Sequence, residues 1–278
     1  MGDFIDTGSD DLLARVDGNV GIITFNRPER RNALSEGVYR GFDAALPVMA
    51  DDPEVRVVLV TGAGGAFCAG GDVKGMHEAN QTGTDRPGRP SGVEDQVAHL
   101  RKLQRAVSLA LHQHPKPVVA ALPGAAAGAG LSIALAADIR LAAERAILVT
   151  AFANVGASGD FGGSWLLTQL VGPAKAKELY FTSPRLTARE AADLGLVNQV
   201  LPDKGFDEAA LEWCRNLARQ APIAQRLMKE NLNRALHCDL ATALDAEATN
   251  MVRSMSTADH REAAAAFVEK RSPNFTGR

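Results

Sequence analysis

The pattern of apolar and polar positions along the chain predicts short buried strands separated by helices. Runs rich in β-branched residues and ended by turn residues occupy positions 19–26, 55–62, 116–124 and 138–144. Helical patterns lie between them at 35–52 and 130–137. Strands that are apolar without alternation are typical of sheets covered on both faces. This order of elements therefore predicts an α/β core.

The second half of the chain is predicted to be helical. From about residue 173 the apolar spacing is that of helices, and 186–200 contains a capping box formed by Thr187 and Glu190, with Gly195 as the stop. Further helices are predicted at 207–220, 223–236, 239–255 and 258–270. We therefore expect an α/β core over 1–205 and a helical region over 206–278. Its apolar faces must pack on the core or on another subunit.

The segment 77–95 has a different composition, rich in Gly and Pro and without an apolar period. Segments of this length and composition are surface loops, and they often act as lids or binding loops. We expect such a loop here.

Composition and charge exclude several classes of protein. The formal net charge of the 278 residues is -3, with acids and bases interspersed, which argues against a nucleic-acid or anionic-membrane surface. No apolar run approaches the roughly 20 residues of a membrane span, and the N-terminus lacks a signal-peptide pattern. The three cysteines, Cys68, Cys214 and Cys238, are widely spaced and match neither a disulfide framework nor a metal site. These features predict a cytoplasmic protein with no bound metal.

Two glycine-rich turns, 61–76 and 122–138, each follow a predicted strand. Backbone N–H groups in such turns can hold an anion or a polarised carbonyl oxygen. Neither turn fits a dinucleotide fingerprint, since the sixth position counted from Gly128 is Ile133, and neither contains the phosphate-loop GK[ST]. For one turn alone, close packing of helix on strand is an equally good explanation. Two donors converging from separate turns would form an oxyanion hole.

Several stretches resemble, in order and combination, the crotonase family of enoyl-CoA hydratases and isomerases. They are FNRPERRNAL (25–34), AFCAGGDVKGM (66–76), AALPGAAAGAGLSIALAADIRLAA (120–143), GGSWLL (162–167), LTAREAADLGLVNQV (186–200) and AFVEKRSPNFTG (266–277). The resemblance implies a spiral of β-β-α units followed by a C-terminal helical region. It also implies a homotrimer or a dimer of trimers.

The resemblance further implies that a coenzyme A thioester is the substrate, and that no cofactor is permanently bound. By position, the oxyanion hole would consist of the amides of Gly71 and Ala129. The residues implied in binding coenzyme A are Ala66, Cys68, Ala69, Asp72 and Lys74, together with Phe267 and Lys270 of the tail, which in the family often reach a neighbouring subunit.

The remaining question is which carboxylate could act as an acid or a base. The family's hydratases use two glutamates, and the resemblance places Ser132 and Phe152 at those positions. The two carboxylates that usually act as acid and base in the addition of water are therefore absent from these positions. Asp160, just before GGSWLL, matches the proposed catalytic carboxylate of the family's isomerases of the phenylacetate pathway.

Two interpretations of Asp160 stay open, and they can coexist. Aromatic walls formed by Phe152, Phe161 and Trp165 would desolvate the carboxylate, raise its pKa and strengthen it as a base. A carboxylate at a helix N-terminus can instead be a cap, stabilised as the anion. We expect an acyl-CoA isomerase with Asp160 as base. The alternatives are a hydratase that uses Asp160 with water, and a non-catalytic acyl-CoA-binding member of the family.

Overall fold

The computed structural model describes residues 3–72, 75, 81 and 92–278. Most of the predicted loop at 77–95 lies outside the described residues. Its last residues, 93–95, are the first turn of a helix.

The strands of the described residues form two sheets. Seven pair in the order β1-β2-β3-β4-β5-β7-β10, and β6, β8 and β9 form a small second sheet. Pairing is antiparallel from β1 to β3 and parallel from β3 to β10. The strands are β1 Asp3–Ile5, β2 Leu12–Asp17, β3 Val20–Phe25, β4 Val57–Gly62, β5 Val118–Leu122, β6 Ala126–Ala127, β7 Ile139–Ala143, β8 Ile147–Val149, β9 Leu186–Thr187 and β10 Gln199–Leu201. The strands predicted at 19–26, 55–62, 116–124 and 138–144 are confirmed as β3, β4, β5 and β7.

The helices follow the predicted order, with one addition. They are α1 Glu36–Asp51, α2 Val93–Gln104, α3 Ala129–Ala136, α4 Gly163–Thr182, α5 Ala188–Asp193, α6 Phe206–Ala218, α7 Pro222–Ala235, α8 Leu240–Met255 and α9 Ala258–Glu269. The sequence did not predict α2, which continues through a π-helical turn at Arg105–Leu109 to Gln113. The capping box is confirmed, because Thr187 and Glu190 exchange side-chain and backbone hydrogen bonds at the start of α5.

Alternating side chains of the central strands enter two different cores. On β3, Val20 and Ile22 pack with α6, whereas Ile23 and Phe25 pack in the larger core with α1 and α3. Because successive residues of a strand point to opposite faces, a strand covered on both faces needs apolar residues throughout. This double cover explains the uninterrupted apolar runs in the sequence.

Helix α4 reverses direction at Gly172. That residue has φ 76° and ψ 165°, and Pro173 follows it, so the regular helix is broken there. In a straight helix, residues 163 and 180 would lie about 25 Å apart. A Cβ placed on Gly163 would instead lie 2.6 Å from the Tyr180 hydroxyl. The break therefore returns Tyr180 to the turn that precedes the helix.

A buried ion pair joins the C-terminal helices to the core. Lys229 of α7 is 9% exposed, and its Nζ lies 2.7 Å from Asp138 Oδ2, an atom that also accepts from Val118 N. Part of the C-terminal surface stays uncovered, since Leu232, Leu240 and Phe267 are at least 70% exposed. Within the described part of the chain, no helix combines the length and the apolarity that crossing a membrane requires.

The Lys229 pair can be tested by Lys229→Met, which keeps most of the aliphatic stem and removes the charge. We expect a loss of about 2–4 kcal/mol in the free energy of unfolding, because Asp138 keeps its charge and loses its partner. Urea denaturation would measure the loss.

Lys175→Met is the matched control, because Lys175 pairs with Glu178 at the same 2.7 Å but is 37% exposed. We expect it to change stability by no more than about 0.5 kcal/mol. Equal small losses in both variants would contradict the role given to Lys229.

Candidate active site

The two glycine-rich turns are fastened to each other by backbone hydrogen bonds. Phe67 N donates to Ala125 O at 3.0 Å, and Ala127 N donates to Cys68 O at 3.0 Å. A Cβ on Gly130 would overlap Cys68 O, so the contact also requires glycine there. The structure thus brings together two turns that are separated by about sixty residues of sequence.

The amides proposed for the oxyanion hole lie at this contact. A Cβ on Gly70 would stand 3.1 Å from Ala129 N, so the Gly70–Gly71 backbone passes directly beside that amide. Ala129 is the first residue of α3, where N–H groups have no acceptor within the helix and the helix dipole is positive. Neither Gly71 N nor Ala129 N donates to a group of the described residues. Both are therefore available to an oxygen ligand.

Asp160 is held in a tight turn and does not cap α4. The helix begins at Gly163, its N-cap residue is Gly162, and no side chain caps it. Gly159 and Gly162 have φ values of 108° and 76°, and Phe161 has 50°, so the turn relies on left-handed conformations that favour glycine. Only the main-chain oxygen of Asp160 serves the helix start, by accepting from Gly163 N. The capping interpretation is therefore wrong.

The Asp160 carboxylate is desolvated. Its Oδ1 is buried without a hydrogen-bond partner among the described residues. Burial raises the pKa of Asp160 from 3.8 to about 6. Of the two effects expected from the sequence, desolvation is the one that the structure shows. A carboxylate of this kind is a stronger base than an exposed one.

Tyr180 completes the site, and the sequence did not indicate it. Its hydroxyl is buried beside Ser132 Oγ. Burial, followed by the charge of Asp160, raises the pKa of Tyr180 to about 12, and Ser132 partly offsets this. The phenol is therefore protonated near neutral pH. The Gly172-Pro173 pair could have indicated from the sequence that α4 is broken there. The direction that the helix takes after the break depends on packing.

Ser132 and Phe152, which the sequence resemblance predicts to occupy the positions of the hydratase glutamates, are both buried. Ser132 is 2% exposed, and its Oγ donates to Gly128 O at 3.3 Å. Phe152 is 8% exposed and stacks on Tyr180 with 5.6 Å between ring centroids. Both side chains therefore lie beside Tyr180.

The remaining predicted site residues lie in different places. Ala66 O accepts from Asn32, and the Cys68 thiol lies in the core with no exposed surface. Ala69 and Asp72 are half-buried beside Gly70 and Gly71, and Lys74 lies outside the described residues. Phe267 is 86% exposed, and Lys270 caps the end of the same helix, α9, so both face away from the core.

A cavity of about 960 Å³ lies between α2, the start of α4 and α7. Phe161 and Gly162 line it, whereas Gly71, Ala129 and Asp160 are not among its described lining residues. Trp165, expected beside Asp160, lines this cavity and stacks on His237 with 5.5 Å between ring centroids. The cavity therefore adjoins the candidate site through the turn that follows Asp160.

Comparison with known proteins identifies the family. Residues 15–278 match the family model described as enoyl-CoA hydratase/isomerase. The chain belongs to this family. It is 35% identical over 268 residues to the 1,2-epoxyphenylacetyl-CoA isomerase of Escherichia coli, covering 96% of this chain and 98% of that protein. It is also 35% identical over 261 residues to the short-chain-enoyl-CoA hydratase of Clostridium acetobutylicum, covering 94% and 95%.

Solved structures agree with the crotonase fold. The enoyl-CoA hydratase of a Polaromonas species superposes with a TM-score of 0.86 at 35% identity, over 95% of this chain and 99% of that one. The expected α/β fold with a C-terminal helical region is thus confirmed. Membership of this family implies a small-molecule coenzyme A thioester as the substrate. Both isomerases and hydratases are among its relatives at equal identity, so the family alone does not choose between them.

The contact between the two turns can be tested by Gly130→Ala. The added methyl group would overlap Cys68 O and separate Ala129 N from Gly70 and Gly71. We expect binding of an acyl-CoA to fall at least about tenfold, which corresponds to one lost amide hydrogen bond to a charged oxygen. Gly8→Ala is the control, because the methyl group added at Gly8 meets no atom within 4 Å. Unchanged binding by Gly130→Ala would refute the arrangement.

The desolvation of Asp160 makes a prediction about stability and pH. Because its pKa is higher in the folded protein than in the unfolded chain, the charged carboxylate destabilises the fold above about pH 6. We expect Asp160→Asn to stabilise the protein by about 1–3 kcal/mol near pH 8 and by almost nothing near pH 4. Urea denaturation at both pH values would measure this. An equal gain at both, or a similar gain for the exposed control Asp245→Asn, would contradict it.

Proposed function

We propose that the protein is an acyl-CoA isomerase that shifts a double bond by proton transfer through a thioester enolate. The observation that carries this proposal is the Asp160 carboxylate, which is buried, lacks a partner among the described residues and does not cap the helix that follows it. A desolvated carboxylate beside an oxyanion hole has the properties of a general base.

The amides of Gly71 and Ala129 would hold the thioester carbonyl oxygen. As the enolate forms, negative charge moves onto this oxygen, and two preorganised N–H donors stabilise it more than they stabilise the neutral carbonyl. Their position at a rigid contact between two turns supports this role, because the donors need no rearrangement during the reaction.

Asp160 would carry the proton in both directions. With a 3-enoyl thioester, the carboxylate removes a proton from the carbon next to the carbonyl, and the electron pair of that C–H bond delocalises into a dienolate. The protonated Asp160 then delivers the same proton to the carbon at the far end of the dienolate. The product is the 2-enoyl thioester, and the carboxylate is regenerated. One acid–base group is sufficient for this sequence.

The E. coli relative, a 1,2-epoxyphenylacetyl-CoA isomerase, supports isomerisation and extends the substrate class to ring epoxides. Coenzyme A would be the carrier of the acyl group and would leave with the product. Ala66, Cys68, Ala69, Asp72 and Lys74 belong to the proposed carrier site, with Phe267 and Lys270 supplied by a neighbouring subunit.

Hydration of a 2-enoyl thioester is the second candidate. The Clostridium relative, a short-chain-enoyl-CoA hydratase, is as similar as the isomerase. In this case Asp160 would activate water. Addition of water to crotonyl-CoA separates the two candidates.

The proposal also includes the oligomeric state and the location of the protein. It would form a homotrimer or a dimer of trimers in the cytoplasm. Exposed apolar side chains on the C-terminal helices support it, since Leu240 and Phe267 are 74% and 86% exposed and large apolar patches mark interaction surfaces. A neighbouring subunit in contact with α9 would cover these side chains.

Asp160→Asn tests the catalytic role. We expect double-bond migration in a 3-enoyl-CoA to slow by about 10²–10⁴-fold while acyl-CoA binding persists, since the amide keeps the shape and loses the base. In the unsubstituted enzyme, kcat/KM should fall about tenfold per pH unit below about pH 6, where the carboxylate protonates.

Exchange of the protons next to the carbonyl into deuterated water, followed by mass spectrometry, measures the same step without requiring net turnover. The exposed Asp245→Asn is the matched control and should exchange normally. Full activity of Asp160→Asn would refute the role. Tight binding with no exchange in the unsubstituted protein would favour a non-catalytic family member.

A further inference from the structure

The cavity between α2, the start of α4 and α7 is strongly basic. Its described lining residues include five cationic side chains, and Glu230 is the single acidic residue among them. The cations are Arg101, Arg105, Arg226, Lys229 and Arg234. The cavity volume of about 960 Å³ is that of a small-molecule site. A concave site with this excess of positive charge favours an anionic ligand.

Three of these cations have no partner within the part of the chain that the structure describes. Lys229 and Arg234 each pair with a carboxylate, at 2.7 Å and 3.3 Å. Arg101, Arg105 and Arg226 form neither an ion pair nor a side-chain hydrogen bond with a described residue. Arg101 and Arg105 are four residues apart on one helical segment, a spacing at which like charges repel. An anion bound by both would remove this repulsion.

The helical segment that carries the two arginines changes its geometry where it lines the cavity. Arg105–Leu109 form a π-helical turn, and Arg105, Ser108 and Leu109 of this turn are lining residues. Single π-helical turns within α-helices are frequent at functional sites. The irregular turn therefore gives a second reason to assign a ligand to this cavity.

The turn after Asp160 supplies an apolar part of the lining. Phe161, Trp165 and Leu166 all line the cavity. Because consecutive Cα atoms are about 3.8 Å apart, this wall begins within about 8 Å of Asp160. An acyl group that extends from Asp160 past this turn meets apolar side chains first and the cations of α2 and α7 beyond them.

The chemistry of the cations selects the group at the far end of such an acyl chain. A guanidinium group binds a carboxylate through two parallel hydrogen bonds. An apolar chain end would leave Arg101 and Arg105 without a partner, and a cationic end would be repelled. The phosphates of a coenzyme A thioester lie at the end opposite the acyl group, so they do not supply this anion.

We propose that the cavity receives the distal part of the acyl group, and that Arg101 and Arg105 bind a carboxylate at its far end. Arg226 contributes positive charge from the facing helix, α7. The preferred substrates are then coenzyme A thioesters of dicarboxylic acids. This proposal deepens the proposed function and rests on it, because it takes Asp160 as the point from which the acyl group extends.

Binding of two thioesters of equal chain length tests the assignment. We expect adipyl-CoA, which ends in a carboxylate, to bind about tenfold more tightly than hexanoyl-CoA, which ends in a methyl group. Isothermal titration calorimetry measures both. Equal affinity, or tighter binding of hexanoyl-CoA, would overturn the proposal.

The double variant Arg101→Gln/Arg105→Gln tests the two residues. It should reduce the affinity ratio to about one without weakening hexanoyl-CoA, whereas a merely structural role would weaken both ligands together. Arg185→Gln/Arg189→Gln is the matched control, because these arginines are also four residues apart and exposed but do not line the cavity. A ratio that the first variant leaves unchanged, or that the control lowers equally, would contradict the assignment.

Trp165 reports on occupation of the cavity. The chain has two tryptophans, and Trp213 packs in the core beside α6, so Trp213→Phe leaves Trp165 as the single fluorescent indole. We expect adipyl-CoA to change the emission of Trp165 at concentrations where free adipate has no effect. An equal response to free adipate, with equal affinities for the two thioesters, would make the cavity a site for a free anion and refute its role in substrate binding.

Exchange of the protons next to the carbonyl separates this proposal from the isomerase function. Exchange in hexanoyl-CoA and adipyl-CoA with equal affinities would refute the carboxylate site and leave the function intact. A tenfold affinity ratio that depends on Arg101 and Arg105, without exchange in either thioester, would refute the function and leave the carboxylate site supported.

Discussion

The close contact between two glycine-rich turns is the constraint on which the candidate site depends. Hydrogen bonds from Phe67 and Ala127 join the turns, and the absence of a side chain at Gly130 lets the backbones approach. This contact places the backbone of Gly70 and Gly71 beside the first amide of α3. Two sets of oriented N–H groups are thereby fixed before any ligand arrives, which is the condition under which such donors stabilise a developing charge.

The turn that carries Asp160 lowers the stability of the fold, and packing elsewhere compensates for this loss. Asp160 is held by a turn with left-handed residues, its carboxylate is desolvated, and the Tyr180 ring packs against the same turn. Strained backbone and buried polar groups of this kind persist only where the surroundings over-determine them. The reversal of α4 at Gly172 and the rigid α/β core behind α3 provide those surroundings. This loss of stability is consistent with a site that contains a reactive carboxylate.

Local patterns predicted the elements that are buried on both faces or strongly amphipathic. The apolar runs at β3, β4, β5 and β7 and the capping box of α5 were all readable because their signals lie within a few residues. The helix at 93–113 was missed, since it has charged residues throughout its first turns and interrupts its period with a π-helical turn. Six strands of the described residues were missed as well, namely β1, β2, β6, β8, β9 and β10. All except the six-residue β2 have only two or three residues, which carry too little pattern.

The sequence by itself determined the family, the α/β core, the two turns and the presence of Asp160, because these are matters of residue type and spacing. Only the tertiary structure decided that Asp160 is no helix cap, that burial raises its pKa, and that Tyr180 packs against its turn. Desolvation and pairing depend on neighbours that are distant in sequence. The direction in which α4 continues after Gly172 is likewise set by the core on which its second half packs. No local sequence pattern encodes that direction.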